Sequence, residues 1–200
     1  EILIISKTVP SRYVLAGSEF SDGSDGWRIS GNGDSGSLPS HERTSFRELN
    51  YFIFATDGLL NIDASGKDNS LFYFEAPAKF LGDKKSAYGG ALRFHMGSFS
   101  GDYNSGNLNS DSDFVVLECS TCNSNAGMRF IYKTSDVSLD ANGPKEFSLP
   151  LSEKGKWLKD PKNTLKSATA PTQCEFVEML NGLTRFAILG DHTKWYESTG

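Results

Sequence analysis

Short apolar or aromatic runs alternate with clusters of Gly, Ser, Asn and Asp along almost the whole 200-residue chain. Many short runs at regular spacing, each bounded by turn residues, are typical of a β-sandwich or barrel. In the run 91–96, Leu92 and Phe94 share one face and polar side chains share the other, as in a half-buried strand. The predicted strands are Ile2–Ile5, Tyr13–Ala16, Trp27–Ser30, Tyr51–Ala55, Leu71–Phe74, Ala91–Met96, Phe114–Glu118, Arg129–Lys133, Lys145–Leu149 and Arg185–Leu189.

One segment near the end of the chain breaks this rhythm and predicts a helix over 172–183. Thr172 and Glu175 have the T-x-x-E spacing of a capping box, in which each side chain bonds the other residue's backbone N–H. Apolar residues then recur at helical spacing, so we expect one face of the helix to pack on the core. These residues are Phe176, Met179, Leu180 and Leu183.

Charge and hydropathy exclude several classes of partner. The formal net charge of −5 and the pI near 5.2 argue against nucleic acid, because binding to phosphates needs a basic face. No apolar run approaches the roughly 18 residues of a membrane span, so no membrane insertion is expected. No internal repeat or clear boundary divides the sequence, and residues 1–200 are therefore predicted to form a single domain.

Three cysteines, Cys119, Cys122 and Cys174, are too few for a fold built on disulfides, and their odd number leaves one thiol unpaired or paired outside the domain. The C-x-x-C spacing of the first two is also found in redox pairs and zinc sites. A zinc site needs a second pair of ligands, which the sequence lacks. We therefore expect a structural disulfide, either between Cys119 and Cys122 or from one of them to Cys174, as suits an oxidising compartment.

The most distinctive segment is 72–90, which reads FYFEAPAKFLGDKKSAYGG. An aromatic strand runs into a proline, a compact turn follows, and a glycine-rich bend precedes the next strand. Glycine permits positive φ and close approach, while proline ends a ladder, so the motif specifies backbone geometry rather than chemistry. The residues of this fold motif are Pro77, Gly82, Asp83, Tyr88, Gly89 and Gly90.

This segment resembles the laminin IV type A module, the globular domain of laminin short arms and perlecan. The stretches 114–118, 147–157 and 174–191 follow the order of that module, so the resemblance extends from about Tyr51 to Asp191. It implies an all-β jelly-roll sandwich of the galactose-binding-like type, with one short C-terminal helix. Unlike the laminins, the chain has no laminin-type EGF cysteines beside the module.

The resemblance also implies a function: a non-catalytic structural and interaction module of a larger matrix, cell-surface or filament protein. Its location would be secreted or on an ectodomain, and its partners other extracellular proteins or neighbouring domains of the same chain.

Catalytic patterns are weak in this sequence. His41, His95 and His192 fall in different elements, and no nucleophile, zinc-protease or phosphate-binding motif occurs. Glu75 and Glu118 both lie near strand ends and could face each other as glycosidase carboxylates do. A solvated or turn-capping carboxylate explains Glu75 equally well, so we predict that the protein is not an enzyme.

The stretch from Ser18 to Trp27 is similar to the opening of galactose-binding-type jelly rolls. In such domains a structural calcium often joins an early acidic residue to an aspartate on the last strand. The resemblance places Glu19 and Asp191 at those positions, which makes them candidate calcium ligands, and calcium is the only cofactor expected. Acidic loops such as 22–26 supply the oxygen ligands that calcium prefers, although Asp and Gly are also ordinary turn residues.

Aromatic residues provide a second interpretation of function. Tyr103, in a polar segment, and Trp195, near the end of the chain, are harder to place in a core than Trp27 and Trp157. Flat aromatic rings stack on sugar faces, so these two are candidate ligand-binding residues. The alternative function is therefore a calcium-stabilised carbohydrate-binding module with glycans as partners.

Overall fold

A computed structural model describes residues 2–7, 12–31, 34–42, 51–55, 71–97, 111–137, 144–159 and 168–191. The strands are accompanied by three single turns of 3₁₀ helix (Ala78–Phe80, Lys85–Ala87 and Thr134–Asp136), by a tight turn at Cys122–Asn125 and by the helix Gln173–Asn181. The strands within these ranges are β1 Ile2–Lys7, β2 Arg12–Ser18, β3 Arg28–Gly31, β4 Asp34–Ser37, β5 Ser40–Glu42, β6 Phe52–Phe54, β7 Phe72–Glu75, β8 Ala91–Met96, β9 Asp113–Cys119, β10 Met128–Lys133, β11 Lys145–Pro150, β12 Leu158–Lys159 and β13 Arg185–Leu189.

The strands form two large antiparallel sheets. The smaller sheet has the order β11-β8-β1-β2, and the larger has the order β12-β10-β9-β13-β7-β3-β4. β5 and β6 pair separately as a two-stranded ladder. Most sheet neighbours are far apart in sequence, which is typical of jelly-roll connections. The predicted all-β jelly-roll sandwich is confirmed.

Aromatic side chains fill the space between the two sheets. Phe94 and Phe147 of the smaller sheet stack at 5.2 Å, and both contact Phe114 of the larger sheet, with ring centroids 5.7 and 5.0 Å away. At another point of the core Trp27, fully buried as expected, packs on Phe80 and Phe186. Each fully buried side chain of this size contributes about 2–3 kcal/mol, so the aromatic layer dominates the stability of the sandwich.

All ten predicted strands are present; two match at both ends, and the ends of the others shift by at most two residues. The sequence did not predict β4, β5 or β12, because Asp34–Ser37 and Ser40–Glu42 are largely polar and Leu158–Lys159 is a two-residue strand. These short strands form because neighbouring strands offer them hydrogen bonds, whatever their own propensity. The helix begins as predicted at the Thr172–Glu175 capping box, and its apolar stripe is buried in the core.

The motif 77–90 joins the smaller sheet to the helix and to β13. Gly82, at φ +76°, exchanges two backbone hydrogen bonds with Leu183, 2.7 and 3.3 Å long, just before β13 begins. Gly89, also at φ +76°, donates to Leu151 O at 3.0 Å after β11 ends. Both glycines therefore occupy left-handed positions that other residues adopt only at a cost, which explains the motif in terms of backbone geometry.

The polar members of the motif have local partners. Asp83 accepts a hydrogen bond from the backbone N–H of Lys85 at 3.1 Å, and the hydroxyl of Tyr88 donates to Glu153 at 2.5 Å. Pro77 precedes the turn Ala78–Phe80, and Gly90 donates to Ala87 O at 2.9 Å. These bonds fix turns within the motif.

Candidate interaction surface

The two carboxylates considered as a catalytic pair lie on the larger sheet with an arginine between them. Arg185 Nε lies 3.1 Å from both oxygens of Glu75, and its Nη2 donates to Glu75 Oε1 at 2.6 Å. The Nη1 of the same guanidinium donates to Glu118 Oε1 at 2.8 Å. One arginine therefore bonds both acids, and it occupies the space in which a substrate would have to lie.

Further pairs extend this arrangement across five strands. Ser30 Oγ donates to Glu75 at one end, while Arg129 lies 3.4 Å from Glu118 and also pairs with Asp113 at the other. Register explains the alignment, because Arg185 and Arg129 both lie opposite Glu118 on strands that flank β9. We call this row the charged ladder; its members are Ser30, Glu75, Arg185, Glu118, Arg129 and Asp113.

Electrostatics of the charged ladder favour permanent charges. Burial lowers the pKa of Arg185, but the hydrogen bonds and charges of Glu75 and Glu118 outweigh that effect and hold it above its usual value. Burial, helped by the charge of Asp113, raises the pKa of the neighbouring Tyr73. A general acid or base needs a pKa near the working pH, and both of these shifts lead away from it. Neither Arg185 nor Tyr73 is therefore suited to proton transfer at neutral pH.

A small apolar cluster lies on the same face, next to the charged ladder. Val116, Ile131 and Ala187 are each at most 1% exposed, and Tyr73 and Leu158 pack against them. Each of the three lies two positions from Glu118, Arg129 or Arg185 along the same strand, so the cluster and the charged ladder share one side of the sheet. The larger sheet thus buries apolar side chains on both faces.

The predicted disulfide is confirmed, and it joins Cys119 to Cys122 with the Cα atoms 5.4 Å apart. The next three residues, Asn123, Ser124 and Asn125, all have positive φ, between 54° and 68°. Glu178 on the helix accepts a hydrogen bond from Asn123 N at 2.7 Å. The disulfide and the helix therefore hold a left-handed turn that ordinary residues seldom adopt.

Two hollows border this turn and the helix. The first, about 250 Å³, lies between the disulfide turn and the end of the charged ladder and is lined by Glu118, Cys119, Ser120, Ala126, Gly127, Met128, Arg129 and Thr184. The second, about 460 Å³, is a shallow groove along the exposed side of the helix. Cys174, the cysteine that is not in the disulfide, lines this groove and is exposed.

The candidate calcium ligands occupy different environments. Glu19 is exposed just after β2, whereas Asp191 is 1% exposed just after β13. Among the described residues, no three His, Cys, Asp or Glu side chains are grouped as a metal site would require. The calcium site stays a prediction. The candidate sugar-binding residues Tyr103 and Trp195 lie outside the described residues.

The sequence did not single out the arginines of the charged ladder. Arg129 and Arg185 each occupy a polar position in an otherwise apolar strand, which shows that they face away from the core. Which acids they contact depends on strand order, since Arg185 and Glu75 are 110 positions apart. The one sign of these contacts in the sequence is an arginine at an outward position of a mostly apolar strand.

Comparison with known proteins gives three findings. The sequence model of the family laminin B (domain IV) matches residues 73–199. The L4b domain of human laminin alpha-2 has a similar fold, with a TM-score of 0.51 at 15% sequence identity. That likeness covers 64% of this chain and 65% of the laminin domain, less than two thirds of its length. No curated protein sequence matches the chain.

None of the helices in the described parts of the chain has the length and apolar character that a membrane crossing needs.

Proposed function

Because the family model matches residues 73–199, more than half of this chain, the chain belongs to the laminin B (domain IV) family, and we propose that it acts as a non-catalytic interaction module. Family membership makes it a structural domain of the extracellular-matrix type. On this proposal it is a structural part of a larger matrix, cell-surface or filament protein, and it contacts other extracellular proteins or neighbouring domains of the same chain.

The observation that carries the proposal is the state of Glu75 and Glu118. A retaining or inverting glycosidase needs one protonated and one ionised carboxyl group separated by open space. Here Arg185 bonds both acids at 2.6–3.1 Å and fills the gap between them. The side chains of Arg185, Glu75 and Glu118 remain 33%, 21% and 32% exposed, so this row of paired charges can take part in a polar contact with another protein.

The test is a parallel assay for binding and turnover with the whole chain. The immobilised protein is exposed to purified matrix proteins and to glycans, and the same preparation is incubated with glycan substrates. We expect saturable binding to at least one protein and no hydrolysis. Glu118→Gln serves as the matched variant, because it removes the charge of a ladder acid while keeping its shape.

Each outcome is decisive. Hydrolysis that disappears in Glu118→Gln or Glu75→Gln would mean that the ladder is an active site and would overturn the proposal. Binding to glycans alone would replace it with the carbohydrate-binding alternative. Protein binding that weakens in Glu118→Gln would support the proposal and assign the charged ladder to the interface.

A further inference from the structure

One acid of the charged ladder has less counter-charge than the others. The ladder contains the carboxylates of Glu75, Glu118 and Asp113, but only two guanidinium groups. Arg185 places three of its four contacts on Glu75, and Arg129 also pairs with Asp113. Glu118 therefore shares both of its arginines with another acid, and the excess negative charge of the ladder lies at Glu118.

The two oxygens of Glu118 differ in their surroundings. Arg185 donates to Oε1 at 2.8 Å, and Arg129 Nε lies 3.4 Å from the same atom. Within the described part of the chain Oε2 accepts no hydrogen bond, and the side chain is 32% exposed. Each carboxylate oxygen can accept about two hydrogen bonds. Glu118 therefore keeps an acceptor oxygen for a ligand.

This acid lines the hollow of about 250 Å³ between the disulfide turn and the end of the charged ladder, which we call the disulfide hollow. Ser120 and Thr184, which carry hydroxyl groups, line it as well. Thr184 Oγ1 donates to Glu118 O and accepts from Ser120 N, both at 3.0 Å, and so keeps one free lone pair. Ala126 and Met128 form an apolar part of the wall. The disulfide hollow thus combines oxygen acceptors with apolar surface.

Bonds on both sides hold the walls of the disulfide hollow in place. The disulfide closes the turn on one side, and Gly127 N donates to Cys122 O at 3.0 Å. The end of the helix packs directly on the disulfide, since a Cβ on Gly182 would lie 2.9 Å from Cys119 Sγ. A ligand would therefore enter a preformed space and would not have to order it, which favours binding.

These features favour a ligand with a compact positive charge. A calcium ion takes about six to eight oxygen ligands, and no three His, Cys, Asp or Glu side chains are grouped in the part of the chain that the structure describes. A guanidinium group pairs best with both oxygens of a carboxylate, but Oε1 of Glu118 already accepts from Arg185. An ammonium group is a point charge with three donors. Glu118 Oε2 and the hydroxyl groups of Ser120 and Thr184 can supply its acceptors.

We propose that the disulfide hollow binds a lysine side chain of a partner protein, with the ammonium group at Glu118 and the hydrocarbon stem along Ala126 and Met128. Lysine stems pack on apolar surface while the charge stays at polar groups. The volume suits a single side chain, because pockets for whole small molecules measure about 300–1,000 Å³. This inference rests on the proposed function, since it gives the chemistry of the partner that the module contacts.

Nuclear magnetic resonance of the whole chain, labelled with ¹³C in its methionine methyl groups, tests the inference. Met128 lines the disulfide hollow, and Met128→Leu identifies its signal by removing it. Met179 is 0% exposed in the core and reports whether the fold is intact. With Nα-acetyl-lysine methylamide as the probe, we expect the Met128 signal to shift and to saturate at about millimolar concentration, while the Met179 signal stays in place. Nα-acetyl-norleucine methylamide has the same four-carbon stem without the ammonium group and should bind about tenfold more weakly, or less.

Two variants remove different parts of the site. Glu118→Gln keeps the shape of the side chain but removes its charge, so it should weaken binding of the lysine probe by about tenfold or more. Ala126→Phe leaves every charge in place and fills the disulfide hollow from an exposed position, so it should block the probe. Glu146→Gln is the matched control: it removes a 53% exposed carboxylate on the smaller sheet and should have no effect.

A Met128 signal that does not move up to about 50 mM lysine probe would overturn the inference. So would equally tight binding of the norleucine probe or of Nα-acetyl-arginine methylamide, or binding of the lysine probe that is unchanged in Glu118→Gln or in Ala126→Phe. Such a failure leaves the proposed function in place when the whole chain still binds a matrix protein. Hydrolysis of glycans, in contrast, would overturn the proposed function whatever the lysine probe does.

Discussion

Replacing Arg185 with methionine should destabilise the fold, and the size of the loss follows from the charged ladder. The variant keeps the length and packing of the side chain but removes the four contacts to Glu75 and Glu118. Glu118 retains Arg129 at 3.4 Å, whereas Glu75 retains, within the described part of the chain, the hydroxyl of Ser30. The loss therefore falls mainly on Glu75, which is left as an under-compensated carboxylate.

The expected loss in the free energy of unfolding lies between the values for breaking an exposed ion pair and a buried one. Breaking a buried pair costs about 3–5 kcal/mol, and an exposed pair contributes about 0–1 kcal/mol. The side chains of Arg185 and Glu75 are 33% and 21% exposed, so we expect a loss of about 2 kcal/mol in the free energy of unfolding. In a chain of this size that corresponds to a fall in Tm of about 4–8 °C.

Urea unfolding of wild type and Arg185→Met at neutral pH measures this effect. Arg93→Met is the matched control: the side chain of Arg93 is 31% exposed, lies on the smaller sheet, and has its Nη1 3.7 Å from Glu146 Oε1, away from the charged ladder. It should cost less than about 0.5 kcal/mol.

A double variant separates charge from packing. Glu75→Gln removes the stranded carboxylate, so in the Arg185→Met background it should recover part of the lost stability, whereas in the wild type it should reduce stability. Equal effects of Glu75→Gln in both backgrounds would refute the account given for the charged ladder.

Three further predictions concern glycine, the helix start and calcium. Gly190→Ala should lower the free energy of unfolding by about 3 kcal/mol or more, because a Cβ there would overlap the ring of Phe72. Gly89→Ala has open space around it and should cost only about 1 kcal/mol, for its positive φ. Thermal melting measures both losses, and similar values for the two variants would contradict this. The salt bridge from Lys159, followed by the hydrogen bond from Thr172 N, holds the pKa of Glu175 below its usual value. The stability that Glu175 contributes is therefore present above its unfolded-state pKa and is lost as pH falls through its folded-state pKa. Glu175→Gln should accordingly destabilise the fold at pH 7 and be as stable as wild type in strong acid. A stability difference that does not change with pH would argue against the pairing of Glu175 with Lys159. If calcium joins Glu19 to Asp191, a chelator should lower Tm in wild type but not in Asp191→Asn; an unchanged wild-type Tm would exclude a stabilising ion.

The sequence predicted those parts of the fold that depend on neighbours along the chain. Alternation located ten strands, and the Thr172–Glu175 spacing located the helix start, because both patterns repeat within a few residues. The short polar strands β4 and β5 carry no such pattern and could not be found. Among the cysteines, the spacing was compatible with more than one pairing, and only the turn at 122–125 brings Cys119 and Cys122 together.

The candidate site shows the same limit of prediction from sequence at the level of single residues. Glu75 and Glu118 were identified as acids near strand ends, and on that information they could have been a catalytic pair. Their meaning changes once β13 is placed between β7 and β9, because that strand order brings Arg185 to both of them. Arg185 fills the space between the two carboxylates, and its bonds to both of them link three neighbouring strands. Strand order, more than the acids themselves, therefore decides between chemistry and support on this sheet.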